Sequence, residues 1–102
     1  MALIDDIENK SGIDIDDSLL TLTKKVGEHL TRKSLTNALA SLIGPDLGNQ
    51  LVENWVNSGK YDTTKKLIDH ALYVVQDFVG ASNKNKVYAY FKEQIYLYAE
   101  YG

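Results

Sequence analysis

Pro45-Asp46-Leu47-Gly48-Asn49-Gln50-Leu51-Val52-Glu53-Asn54-Trp55-Val56-Asn57 runs into Ser58-Gly59-Lys60-Tyr61-Asp62 and then Thr63…Val75-Gln76-Asp77. These residues read as two helices joined by a turn. Pro45 suits the first turn of a helix, where its missing N–H costs nothing. Leu47, Leu51, Val52, Trp55 and Val56 then fall on one side at three- and four-residue spacing. Asn57-Ser58-Gly59 ends that helix, with glycine at the position that favours a left-handed backbone. Asp62 or Thr63 caps the next, because a side-chain oxygen there accepts the orphan N–H groups of the first turn. The inward face of that second helix is expected to be Leu67, Ile68, Ala71, Leu72, Val75, Phe78 and Val79, and Gly80 closes it.

The same rules extend outward. A short helix is expected over residues 3–10, stopped at Ser11-Gly12, and Ile13-Asp14-Ile15-Asp16 reads as an extended linker. Asp16 or Asp17 is positioned to cap a helix running to about Arg32, with Leu19, Leu22, Val26 and Leu30 as its stripe and Gly27 as a weak point inside it. Ser34 reads as a fresh cap before a helix carrying Leu35, Leu39, Leu42 and Ile43, which Gly44-Pro45 stops. The last helix is expected from Asn83 to about Tyr101, burying Val87, Tyr90 or Phe91, Gln94, Ile95 and Tyr98. One proline, seven glycines and short loops favour antiparallel packing of neighbours. The expectation is an all-α fold, a compact antiparallel bundle of four to five helices. Residues 1–102 read as a single helical domain, with 1–17 as an acidic arm.

Composition narrows the function. The 102 residues, 44% of them hydrophobic, are enough for one ordinary core. No run approaches the ~18 apolar residues of a membrane span, so no membrane partner is expected. The acidic start, Met1-Ala2-Leu3-Ile4-Asp5-Asp6, is unlike the basic-then-apolar start of a secretory signal. With no cysteine, disulfides, thiolate catalysis and cysteine-based zinc sites are excluded, and a cytoplasmic location is the default. The net charge of −3 lacks the basic excess typical of a protein built to hold a phosphate backbone.

Ser58-Gly59-Lys60-Tyr61-Asp62-Thr63 followed by Leu67-Ile68-Asp69-His70-Ala71-Leu72 resembles the helix-turn-helix part of ParD-type antitoxins. That family carries Ser-Gly-Arg-Tyr, a serine-rich cap and then Val-Ile-Arg-x-Ala-Leu. The resemblance covers about a third of the chain and implies the alternative fold, a ribbon-helix-helix dimer core with extra helices. It also implies a DNA-reading strand before the hairpin and a toxin-wrapping C-terminal segment. The chain departs from the pattern at Lys65-Lys66 and at Asp69. The segment that would be the ribbon, Leu39-Ala40-Ser41-Leu42-Ile43, offers only Ser41 as a polar side chain to read base edges. Helix spacing accounts for it better.

Candidate chemistry is sparse. Asp14-x-Asp16-x-Ser18 begins like a calcium loop, but Leu19 and Lys25 stand where glycine and a bidentate glutamate belong, so helix capping is the better reading. His29 and His70 each stand alone and read as solvent-facing or boundary residues. No nucleophile elbow or phosphate-cradling glycine loop occurs. No enzyme activity, metal site or cofactor is therefore expected.

Two groups remain as candidate sites. Lys24, Lys25, Arg32 and Lys33, with Ser41, could meet an anionic partner, or simply form a solvated face. Tyr88, Tyr90, Tyr96, Tyr98 and Tyr101 crowd the last helix, and at about 100° per residue they cannot share one buried stripe. Some must lie on the surface, where tyrosine is enriched in protein interfaces. The expected function is that of a non-catalytic protein that binds another protein, as a regulator, inhibitor or immunity- or antitoxin-like molecule, with a homodimer as one form of it. A dimeric ribbon-helix-helix DNA-binding repressor is the alternative, with DNA as the lesser partner.

Overall fold

The computed structural model describes residues 10–101. The helix expected over residues 3–10, apart from Lys10, and residues 1–9 of the acidic arm lie outside the described residues. Five helices follow: α1 (Asp17–Val26), α2 (Glu28–Ile43), α3 (Pro45–Ser58), α4 (Thr64–Val79) and α5 (Ala81–Tyr101). The fold is an all-α bundle, with no strand among the described residues. The last helix, α5, lies at its centre, packed on α1, α2 and α4, while α3 covers α2. The linker before α1 forms neither helix nor strand; Asp16, at its end, has an extended backbone, and Ile15 enters the core.

Three joints are made by one glycine each. Gly27 has φ 96° and ψ 162°, and Gly44 and Gly80 adopt nearly the same angles. This region is essentially closed to residues with a Cβ. The Gly27 N–H donates to the Thr23 carbonyl at 3.1 Å and its own carbonyl accepts from the Thr31 N–H at 3.0 Å. One residue thus closes one helix and opens the next. The continuous helix expected from Asp17 to about Arg32 is therefore broken at Gly27. The fresh start expected at Ser34 does not occur, because the buried Ser34 hydroxyl donates to the Leu30 carbonyl at 2.8 Å and continues α2. Residues 38–43 form the last turns of that helix.

The remaining joint follows the sequence closely. Pro45 opens α3, Gly59 ends it in the left-handed conformation, and the Thr63 hydroxyl accepts from the Lys66 N–H at 3.2 Å. Asp16 precedes α1 without a side-chain capping bond; its backbone N–H donates instead to the Tyr88 hydroxyl.

The core is Ile15, Leu19, Leu35, Ala38, Leu39, Val52, Leu67, Ile68, Ala71, Leu72, Val75, Val87, Phe91 and Ile95. Burying each larger side chain contributes about 1.5–3 kcal/mol. Three expected core positions are exposed. Phe78 (79% exposed) and Val79 lie in the last turn of α4, beyond the surface its neighbours cover. Leu47 is turned out because α3 meets α2 through the adjacent Gly48. A Cβ on Gly48 would lie 3.1 Å from the Ala40 backbone nitrogen and 3.2 Å from the Thr36 carbonyl oxygen. On α5, Phe91 rather than Tyr90 enters the core, and Gln94 and Tyr98 are only partly buried. No described helix is long and apolar enough to cross a membrane.

Candidate functional site

Helix α5 has two unlike faces. Lys84, Val87, Phe91 and Ile95 recur every three or four residues and face inward. The opposite face carries a shallow groove of about 400 Å³ lined by Tyr88, Ala89, Lys92, Glu93, Tyr96, Leu97 and Glu100. Its walls are two i,i+4 ridges, 88-92-96 and 89-93-97, the form into which a ridge from another helix packs. The Lys92 ammonium lies 5.6 Å from the centroid of the Tyr88 ring, so its stem runs along the groove wall.

Helical geometry distributes the five tyrosines. Tyr88 is half-buried, its hydroxyl accepting from the Asp16 N–H at 3.3 Å, and together with Tyr96 it lines the groove. Tyr90 and Tyr101 fall near Leu97 on the adjoining flank, where Leu97 is 44% and Tyr101 79% exposed. Tyr98 lies half-buried at the edge of the core. Ala89, Glu93, Leu97 and Glu100 were not singled out by sequence reasoning. Their signal was their recurrence opposite Val87, Phe91 and Ile95.

The basic residues are not gathered into one patch. Lys24 and Arg32 line a groove that also holds Glu28 and Asp62, and Arg32 pairs with Glu28 one turn away. Lys33 and Arg32 border a second groove with His29, Asn37, Asn49, Glu53 and Asn57, between α2 and α3. Lys25 is exposed in the last turn of α1, where its charge complements the helix dipole. Ser41 is exposed on α2 and its hydroxyl donates to the Ala38 carbonyl at 2.6 Å.

Two arrangements escaped the sequence because their partners are distant in the chain. The Asp69 carboxylate, 7% exposed, accepts from the Lys10 N–H at 3.0 Å, the Ser11 N–H at 3.2 Å and the Ser11 hydroxyl at 2.5 Å. The buried Lys84 ammonium donates to the Ser11 carbonyl at 2.6 Å and to the Gln76 side-chain oxygen. Nearby, the His70 ring stacks on Tyr61 at 4.2 Å, lies edge-on to Trp55 at 5.0 Å, and shares a 3.1 Å hydrogen bond between Nε2 and the Tyr61 hydroxyl. Burial holds His70 below its ordinary pKa, with the Lys10 charge adding to this and Asp69 opposing it. Both clusters lock elements together. Among the described residues, no three His, Cys, Asp or Glu side chains gather as metal ligands would.

Comparison with protein-family models, with curated proteins and with solved structures finds no match to this chain.

Proposed function

We propose that this chain is a non-catalytic cytoplasmic protein that acts by binding another protein, in a regulatory, inhibitory, immunity-like or antitoxin-like role. The outer face of α5 is its contact surface. The observation that carries this reading is the exposure of Tyr90, Tyr96, Leu97 and Tyr101 on one helix whose opposite face already supplies the core. The fold does not need these side chains for its interior. Exposed aromatic and apolar groups concentrated in this way mark protein contacts, because tyrosine offers a large apolar ring and a polar tip. Duplex DNA fits the chain less well. The residues needed for a groove-reading ribbon, 38–43, are helical, and Lys24 and Arg32 share their groove with Glu28 and Asp62.

The test is site-specific photo-cross-linking in cells of the source organism. A photoreactive phenylalanine analogue placed at Tyr96 should yield one discrete protein adduct. The same group at Asn54, exposed on α3, should not. Equal adducts from both positions, or none at Tyr96, would overturn the reading.

A further inference from the structure

The outer face of α5 is self-complementary when a second α5 runs antiparallel to it. Ala89, at its middle, is the smallest side chain lining the groove and permits close approach of another helix. Lys86 lies three residues before Ala89 and Glu93 four after, all on the same flank. Each is exposed, and each lies roughly 5 Å along the axis from a point beside Ala89, at 1.5 Å per residue. A two-fold axis through that point brings Lys86 of each copy level with Glu93 of the other. On the other flank, Lys92 of each copy comes level with Tyr88 of the other, extending the cation–π contact already made within the chain. The ends match too. Phe78 and Val79 are exposed just before α5 begins, and Leu97 and Tyr101 are exposed near its end. Antiparallel pairing brings the end of one α5, with Leu97 and Tyr101, toward the α4–α5 joint of the other, where Phe78 and Val79 are exposed. A parallel pairing would leave Lys86 of one copy about 10 Å along the axis from Glu93 of the other, and so would not join them.

We propose that α5 pairs antiparallel with α5 of a second copy about a two-fold axis beside Ala89, held by reciprocal Lys86–Glu93 contacts. This rests on the reading of the α5 outer face as a contact surface and names the partner as another copy of the chain. A single helix pair lies at the small end of specific interfaces, so the dimer should dissociate on dilution.

Sedimentation velocity over a concentration series tests it, with circular dichroism to confirm that each variant is folded. The wild-type chain should reach twice the monomer mass as concentration rises. Glu93→Lys and Lys86→Glu should each weaken association about tenfold or more, because symmetry turns two attractions into repulsions at once. An equimolar mixture of the two variants should recover association to the wild-type level. A wild-type chain that stays monomeric throughout overturns the pairing, while an adduct at Tyr96 to a different protein would still uphold the binding function. A dimer equally stable in the wild type and both variants, with no gain on mixing, overturns it and places the contact elsewhere.

Discussion

Asp69 and Lys84 grip opposite sides of one residue. The Asp69 carboxylate holds the N–H and hydroxyl of Ser11, and the Lys84 ammonium holds its carbonyl. Two buried charges from α4 and α5 are thus satisfied through a serine 58 positions before one and 73 before the other. Asp69→Ala should therefore destabilise the chain by about 2–4 kcal/mol, since several buried donors lose a charged acceptor. Lys84→Met, which keeps the volume, should cost about 1.5–3 kcal/mol. Urea unfolding checks both, and trypsin should cut faster after Lys10 in each variant. Asp14→Ala, on the exposed linker, should change stability by less than about 0.5 kcal/mol.

Gly27→Ala should destabilise by about 1–3 kcal/mol although alanine is the better helix former, because the backbone there has φ 96°. Gly48→Ala should also destabilise, here for lack of room: the added carbon meets the backbone of α2 rather than a side chain that could move. If either variant were more stable than the wild type by urea unfolding, that account of the joint or helix contact would be wrong.

Phe78 and Phe91 should respond very unequally to the same change. Phe91→Ala empties a fully buried site and should cost about 3–5 kcal/mol. Phe78→Ala removes a side chain that is 79% exposed and should cost less than about 0.5 kcal/mol in the dilute chain. Thermal or urea unfolding of the pair separates the two environments.

His70 links stability to pH. Its pKa in the folded chain lies below the ordinary 6.5, chiefly through burial. The unfolded chain therefore binds the proton more readily. The His70 contribution is present above the unfolded value of 6.5 and is lost as pH falls through the lower folded value. Melting temperatures should drop from pH 7.5 to pH 5.5 in the wild type and drop less in His70→Gln. Parallel curves for the two proteins would remove His70 from the explanation.

The fold was readable wherever local chemistry decides it. Pro45, Gly59 and Thr63 each act within one turn of the chain, and the α3–α4 joint forms where they place it. Gly27 misled because a glycine inside a helical pattern and a glycine joint have the same local sequence. What separates them is whether the following turn packs back on the bundle. Phe78 and Leu47 fit the apolar period but lie beyond or beside the helix contact, which periodicity alone does not report. Asp69 and His70 acquire their roles from Ser11, Tyr61 and Trp55, brought near only by the tertiary fold. The tyrosine-rich helix was legible as a candidate surface, since too many rings crowd one helix for a single buried stripe. Which of them face outward depended on how α5 sits between α1, α2 and α4.

Hydroxyl-radical footprinting of the tyrosines tests the α5 contact surface most directly, comparing dilute purified chain with concentrated chain and with the chain in an extract of its source cells. Tyr96 on α5 should lose reactivity in the concentrated chain or in the extract, while Tyr73, exposed on α4, should keep it in both. Unchanged reactivity on α5 under both conditions, or protection of Tyr73 instead, would contradict the account.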